Sequence, residues 1–252
     1  MNTVFIVYVI VLGLFIGSFL NVVGIRVPKG ESIIKPPSHC DSCGRRLTPL
    51  ELVPVFSWLF LRGRCRTCHA KVSTLYPVIE GLVAIGFMGS WLQWGFSWEM
   101  AVDLIAISTL AALTVADLLY FRLPDRILLP AMIVLLLLRF VTHPLGIVSY
   151  LAGMLLGFVL LFLIHLISRG GMGMGDVKLF AFVGLLTGTL GVVMTLVLAS
   201  FFGTLVGIPL RIMGKVKAKQ PIPFGPFIAM SAVLIHLYGQ GLWQLYWGFV
   251  TR

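Results

Sequence analysis

The chain contains eight apolar segments that are long enough, or nearly so, to cross a lipid bilayer as helices. A membrane-spanning α-helix needs about 20 mostly apolar residues. The segments lie at 4–24, 75–95, 99–118, 127–143, 146–167, 177–190, 191–210 and 224–247, and the sixth is short. Hydrophobic residues make up 59% of the 252 residues and charged residues only 11%, whereas about 25% of a soluble domain is charged. The sequence predicts an all-α polytopic membrane protein with about eight transmembrane helices.

The basic residues predict the orientation of the chain in the membrane. The loop after the first apolar segment is rich in lysine and arginine, and the same side of the membrane would carry most other basic residues, among them Arg169, Lys215, Lys217 and Lys219. Such an excess of positive charge marks cytoplasmic loops. We therefore expect residues 26–74 in the cytoplasm and the N-terminus outside. Because the net charge of +10 is explained by this topology and by anionic lipid, no nucleic-acid partner is expected.

The loop at 26–74 separates the first helix, 1–25, from a membrane core at 75–252, and it carries all four cysteines of the chain. They form two CxxC pairs, Cys40 with Cys43 and Cys65 with Cys68. This spacing matches a four-cysteine zinc ribbon, and disulfides are disfavoured in the cytoplasm. Four thiolates complete the zinc shell without His39 or His69 and leave no position for a catalytic water. We therefore predict a structural zinc in a loop too short to fold by burial alone.

Two aspartates lie where apolar segments meet short polar stretches. Asp117 ends the third segment, and Asp176 follows Gly173-Met174-Gly175 at the start of the sixth. A carboxylate at membrane depth costs about 2.5–3.5 kcal/mol, so it calls for a partner, a water-filled cavity or a reaction. In the predicted topology both carboxylates lie at the cytoplasmic face. Aspartic proteases use two carboxyl groups about 3 Å apart that share one proton, and the sequence favours such a dyad here.

Other residues compete for these roles or have simpler explanations. Asp125 could replace Asp117, but it follows a proline where a helix cap is expected, so we favour Asp117. Asp176 could merely complement a helix dipole. The glycines before it, Gly170, Gly171, Gly173 and Gly175, would allow close approach and unusual backbone conformations. Glu80, within the second segment, is equally consistent with a buried hydrogen-bonded side chain and with a ligand for an amine. The run from Gly17 to Asn21 alone predicts ordinary close helix packing.

Taken in order, these features resemble the type IV prepilin leader peptidases, which also process secretion and competence pseudopilins. The resemblance covers nearly the whole chain. It rests on Gly17-Ser18-Phe19-Leu20-Asn21, both CxxC pairs, the stretch from Leu52-Val53-Pro54 to Ser57-Trp58-Leu59, Asp117 with Leu123-Pro124-Asp125, and Gly173-Met174-Gly175-Asp176-Val177-Lys178. It implies an intramembrane aspartic endopeptidase of the GxGD type, with Asp117 and Asp176 as its catalytic dyad. Its substrates would be prepilins or pseudopilins, cut after the glycine that ends a short basic leader.

The resemblance also implies a second activity. Members of this family commonly methylate the freed α-amino group with S-adenosylmethionine, and their cysteine-containing loop is implicated in that step. The chain has no Gly-rich nucleotide motif that follows a strand, so no residue is assigned to the methyl donor, although Glu80 is one candidate for a contact with it or with the substrate amine. Two alternatives remain open: a peptidase without methyltransferase activity, and a membrane transport or assembly protein with a zinc-ribbon docking loop. The resemblance places the enzyme in the bacterial inner membrane.

Overall fold

The computed structural model describes residues 2–168, 171–214 and 222–250, and in these ranges it is helical, with two isolated β-bridges and no strand. The expected all-α fold is confirmed. The α-helices are α1 Asn2–Arg26, α2 Phe56–Phe60, α3 Leu75–Trp94, α4 Trp98–Tyr120, α5 Asp125–Val141, α6 Ile147–Ile167, α7 Met174–Ile212 and α8 Gly225–Val250. Five of the residues discussed above lie outside the described ranges, namely Arg169, Gly170, Lys215, Lys217 and Lys219.

Five helices in the described ranges, α1, α3, α4, α6 and α7, are long and apolar enough to cross a membrane. The chain is therefore a multi-pass membrane protein. The predicted count of eight spans is not confirmed, because α5 has only 17 residues and α8 offers only a shorter apolar stretch, Gly225–Gly239. The two spans expected at 177–190 and 191–210 form the single element α7, which is broken at Gly188 (φ 75°, ψ −175°) instead of by a loop.

The helices form two compact units, Met1–Leu119 and Tyr120–Arg252. The first unit contains α1, the cysteine loop, α3 and nearly all of α4, and the second contains α5 to α8. The three parts that the sequence suggested, divided at 25 and 74, stay a prediction. Hydropathy marks the ends of apolar segments, but it carries no information about which helices pack together.

In the first unit, α1 approaches its neighbours closely through glycines. A Cβ atom built on Gly17 would lie 2.7 Å from the Cα of Glu80 in α3, and one on Gly24 would lie 2.6 Å from the carbonyl oxygen of Ala112 in α4. Between these glycines, Asn21 is fully buried. Small residues that let helix backbones approach, with a polar side chain between them, are typical of helix packing in membranes. The packing role predicted for the segment from Gly17 to Asn21 is confirmed.

In the second unit, α6 and α7 touch backbone to backbone. A Cβ atom on Gly153 would lie 2.7 Å from the carbonyl oxygen of Gly184 and 2.6 Å from the carbonyl carbon of Gly188. Atoms of folded proteins do not approach so closely without a shift of the backbone, so only glycine fits at position 153. Gly188 also has the positive φ that disfavours other residues.

Arg139 supports the broken helix from α5. Its side chain is fully buried and donates hydrogen bonds to the carbonyl oxygens of Leu185 (3.2 Å) and Leu186 (2.7 Å), while its guanidinium lies 4.0 Å from the centre of the Tyr150 ring. A break in a helix leaves the carbonyls of the preceding turn in need of donors. Arg139 supplies them where the membrane offers no water.

We expect Gly153→Ala to destabilise the second unit by about 1–3 kcal/mol, because the added methyl group forces α6 and α7 apart. The measurement is the midpoint of thermal unfolding of the protein in detergent, followed by light scattering. Gly81→Ala is the matched control: it lies within α3, and a Cβ there meets no atom within 4 Å. Equal midpoints for the two variants would contradict this packing.

Candidate active site and metal site

Asp117 lies in the last turn of α4, which ends at Tyr120. Its side chain is only 6% exposed, and the preceding Val115 and Ala116 are fully buried. The sequence placed Asp117 at the end of an apolar helix, and the structure agrees. The Asp117 carboxylate is therefore buried instead of projecting into solvent.

Asp176 lies in the first turn of α7, which follows Gly173 and begins at Met174. It is half-buried, and its N–H donates to the carbonyl of Gly173 at 3.1 Å. A Cβ atom on Gly175 would lie 2.9 Å from the Cβ of Leu123. The glycine at 175 therefore lets the start of α7 pack against the segment before α5. Gly173 has an ordinary φ of −70°, so the unusual conformation suggested for this glycine is not used.

Asp125 forms an ion pair within the second unit. It is the first residue of α5, and its two carboxylate oxygens accept hydrogen bonds from the Lys178 ammonium at 2.9 and 2.7 Å. Both side chains are well exposed, at 48% and 37%. The pair joins the start of α5 to the turn of α7 that follows Asp176. Asp125 thus has a structural partner that the sequence did not reveal.

The four-cysteine loop contains two turns of the same geometry. In the first, the Cys40 N–H donates to the carbonyl of Arg45 at 2.9 Å, and the Gly44 N–H donates to the carbonyl of Cys40 at 2.8 Å. In the second turn, the Cys65 N–H donates to the carbonyl of Ala70 at 2.9 Å, and the His69 N–H donates to the carbonyl of Cys65 at 3.0 Å. The sequence alone does not reveal that the two turns have the same hydrogen bonds, because their only identical residues are the cysteines.

The two turns bring the four cysteines together. Their sulfur atoms all lie within 4.8 Å of one another, none is in a disulfide, and the sulfurs of Cys40 and Cys68 are 3.7 Å apart. Zinc–thiolate bonds of about 2.3 Å in a tetrahedron place sulfurs roughly 3.8 Å apart. The cluster therefore fits a tetrahedral zinc ion. His39 bonds the carbonyl of Pro37 through Nδ1 at 3.0 Å and is not part of the cluster.

The backbone favours the thiolate forms that metals bind. Hydrogen bonds from the N–H groups of Cys68 and Thr67 lower the pKa of Cys65 to about 6. Hydrogen bonds from the N–H groups of Cys43 and Ser42 likewise lower the pKa of Cys40. Amide donors that point at a sulfur stabilise its negative charge. The backbone thus stabilises the thiolates of Cys40 and Cys65. At Cys68 the Ala70 N–H acts in the same direction, but desolvation and the hydrogen bonds with the other cysteines outweigh it and raise the pKa to about 11.

An ion pair supports the loop beside the cluster. Arg45 donates to a carboxylate oxygen of Glu51 at 2.5 Å, and the other oxygen accepts the N–H of Thr48 at 3.0 Å. The Arg45 bond, followed by the Thr48 N–H, lowers the pKa of Glu51 to about 2. Because the folded-state pKa is depressed, this stabilisation is present above about pH 4.5 and is lost as the pH falls toward 2.

Glu80 is buried in α3, with 5% of its surface exposed, and it accepts the backbone N–H of Val55 at 2.7 Å. The short helix that follows Val55 also contacts the cysteine loop: the Trp58 Nε1 donates to the carbonyl of Val72 at 3.2 Å. A Cβ on Gly63 would lie 2.7 Å from the Trp58 ring. Glu80 therefore ties the loop to the membrane helices of the first unit.

Comparison with known proteins assigns the chain to a family. Residues 11–94 match the bacterial peptidase A24 N-terminal domain, and residues 104–208 match the type IV leader peptidase family. The second match includes both Asp117 and Asp176. The chain is 36% identical to a prepilin leader peptidase/N-methyltransferase of Bacillus subtilis, over 94% of this chain and 95% of that protein.

Two further relatives carry the same description. One from Aeromonas hydrophila is 33% identical over 94% of this chain and 92% of its own length. One from Pseudomonas aeruginosa is 30% identical over 97% of this chain and 94% of its own length. No solved structure matches the chain significantly. The chain belongs to the type IV leader peptidase family.

We expect the purified protein to bind one zinc ion per chain, and Cys65→Ser to retain less than about a tenth of it, because three thiolates form an incomplete shell. Zinc is measured by elemental analysis after dialysis against a weak chelator. His69→Asn is the control, since asparagine tolerates the positive φ of this turn, which is 56°. Equal zinc loss in the two variants would contradict a four-cysteine site.

Proposed function

We propose that this protein is an intramembrane aspartic endopeptidase that removes the short basic leader of prepilins or pseudopilins after a glycine and then methylates the new N-terminus. The observation that carries the proposal is the membership in the leader peptidase family, in a match that spans both aspartates. The buried position of Asp117 supports it, because a carboxyl group at the end of an apolar helix suits a reaction better than a surface role.

Asp117 and Asp176 act as a pair in this proposal. The ionised carboxylate takes a proton from a water molecule, whose oxygen attacks the scissile carbonyl, while the protonated partner donates a hydrogen bond to the carbonyl oxygen. The peptide C–N bond then breaks, and the departing nitrogen takes a proton. Asp125 is left out of the pair because its carboxylate is bound to Lys178.

The proposed orientation matches the substrate. A prepilin is one apolar helix preceded by a basic leader, and the leader stays in the cytoplasm for the same reason as basic loops do. The scissile bond therefore lies at the cytoplasmic face of the bacterial inner membrane. With the N-terminus outside and the cysteine loop inside, Asp117 and Asp176 lie at this same face.

The metal and the methyl donor that this proposal requires would have different roles. Zinc held by Cys40, Cys43, Cys65 and Cys68 stabilises the loop, since a complete thiolate shell leaves no open position for chemistry. S-adenosylmethionine supplies an electrophilic methyl group when it is bound. The described residues contain no strand followed by a Gly-rich turn, which is the usual nucleotide-binding motif, and no residue is assigned to the donor.

The test is a reconstitution of the purified protein in liposomes with a prepilin whose leader ends in glycine before phenylalanine. Mass spectrometry of the pilin should show the loss of the leader. With S-adenosylmethionine present, it should also show the replacement of one hydrogen by a methyl group at the new N-terminus.

A prepilin whose leader ends in leucine is the control and should stay uncut. Cleavage without methylation would favour the peptidase-only alternative. Absence of cleavage by folded, zinc-loaded protein would contradict the proposal and favour a transport or assembly role.

A further inference from the structure

A polar cluster lies between the membrane helices α1 and α3 of the first unit. Its centre is Glu80, which is 5% exposed. One carboxylate oxygen accepts the Val55 N–H at 2.7 Å, and the Ser18 side chain forms a hydrogen bond to the same carboxylate. A carboxylate within a membrane helix is rare and is a functional-site candidate by default.

The donor to Glu80 is held in a strained turn. Val55 has φ 60° and ψ −53°, and across it the Phe56 N–H lies 2.6 Å from the carbonyl of Pro54. These values describe a γ-turn with a positive φ at its centre, which is rare and strained, above all for a β-branched residue. Strain of this kind persists where the surroundings impose it, and it concentrates at functional sites.

The contact between α1 and α3 also contains one buried acceptor that has no donor among the described residues. Asn21 is fully buried, and its Nδ2 donates to the carbonyls of Gly17 and Tyr76, each at 3.2 Å. Its Oδ1 is buried and has no hydrogen-bond partner among the described residues. Because Gly17 packs on the Cα of Glu80, the two acceptors belong to one α1–α3 contact. One acceptor without a donor, in the same helix contact as a buried carboxylate, favours a cationic ligand that donates several hydrogen bonds.

Helix α1 contacts both the helix that carries Glu80 and the helix that carries Asp117. Gly17 contacts Glu80, and Gly24 contacts the carbonyl of Ala112, five residues before Asp117 in the same helix. Seven residues of α-helix span about 10 Å, and the five residues from Ala112 to Asp117 add about 7 Å. All these residues are in the first unit, so the separation does not depend on the second. A group released beside Asp117 would therefore move by less than about 20 Å along these helices to reach Glu80.

Resting on the proposed function, we propose that Glu80 and Asn21 bind the α-ammonium group of the processed pilin, and that Glu80 accepts its proton before methyl transfer. Cleavage creates one new cation at the end of an apolar helix, which is the type of ligand that this cluster suits. An ammonium has no lone pair, so it must lose a proton before it can act as a nucleophile.

The proton balance of the step is simple. The ammonium gives one proton to the Glu80 carboxylate and becomes a neutral amine. Its nitrogen lone pair then forms a bond to the methyl carbon of S-adenosylmethionine, and the C–S bond breaks with its electrons left on sulfur. The Glu80 proton passes to water, and the product is a secondary ammonium that carries one methyl group.

The decisive variant is Glu80→Gln. Glutamine keeps the acceptor for Val55 and nearly the same volume, so the strained turn and the fold are retained while the charge is removed. We expect cleavage within about twofold of wild type and methylation lowered by about 100-fold, which is the range of a lost proton acceptor. Both rates are measured by mass spectrometry on the same reconstituted pilin. Ser90→Ala, at another buried polar position of α3, should change neither rate.

A binding measurement tests the same inference without turnover. Wild type should bind processed pilin with a free N-terminus roughly tenfold more tightly than the N-acetylated form, because acetylation removes the charge that Glu80 recognises. Glu80→Gln should bind the two forms equally. Titration in detergent with fluorescently labelled pilin gives both affinities.

Three results would overturn the inference: normal methylation by a folded Glu80→Gln variant, parallel loss of cleavage and methylation in it, or equal binding of the two pilin forms by wild type. If wild type neither cleaves nor methylates, the proposed function fails. The comparison of binding between free and N-acetylated pilin still shows whether Glu80 recognises the ammonium group.

Discussion

Every polar group inside the membrane helices needs a partner, because hydrocarbon offers no hydrogen bonds, and the rest of the structure depends on this constraint. Arg139 binds the carbonyls before the break in α7, and Glu80 binds the N–H of a strained turn. Glycines bring the helices close enough for such contacts. Asn21 Oδ1 is buried and has no donor among the described residues, and it is there that we propose the ammonium of the processed pilin binds.

Much of this fold could be predicted from the sequence, since apolar runs bounded by polar residues fix helix ends well. The spans expected at 75–95 and 146–167 agree with α3 and α6 within a residue. The break at Gly188 and the division into two units could not be predicted. Both depend on which helices pack together, and hydropathy contains no information about that.

The candidate site was predicted in part. The CxxC spacing indicated that four cysteines would cluster, and their sulfurs do lie together. The ion pair of Asp125 with Lys178 and the bond of Glu80 to Val55 were missed, because each joins residues far apart in sequence. Pro54 is a local signal for a turn, but it does not reveal that the N–H of Val55 donates to Glu80. The pairing of Asp117 with Asp176 remains a prediction from topology and family resemblance.

The central claim is that Asp117 and Asp176 act together on the scissile bond. The most direct measurement is the initial rate of prepilin cleavage in liposomes for Asp117→Asn, Asp176→Asn and Asp125→Asn at matched protein levels. If the two aspartates work as one unit, Asp117→Asn and Asp176→Asn should each lower the cleavage rate by at least about 1,000-fold. The cleavage rate of Asp125→Asn should stay within severalfold of wild type. Cleavage by either dyad variant at the wild-type rate, or its loss in Asp125→Asn alone, would contradict the account.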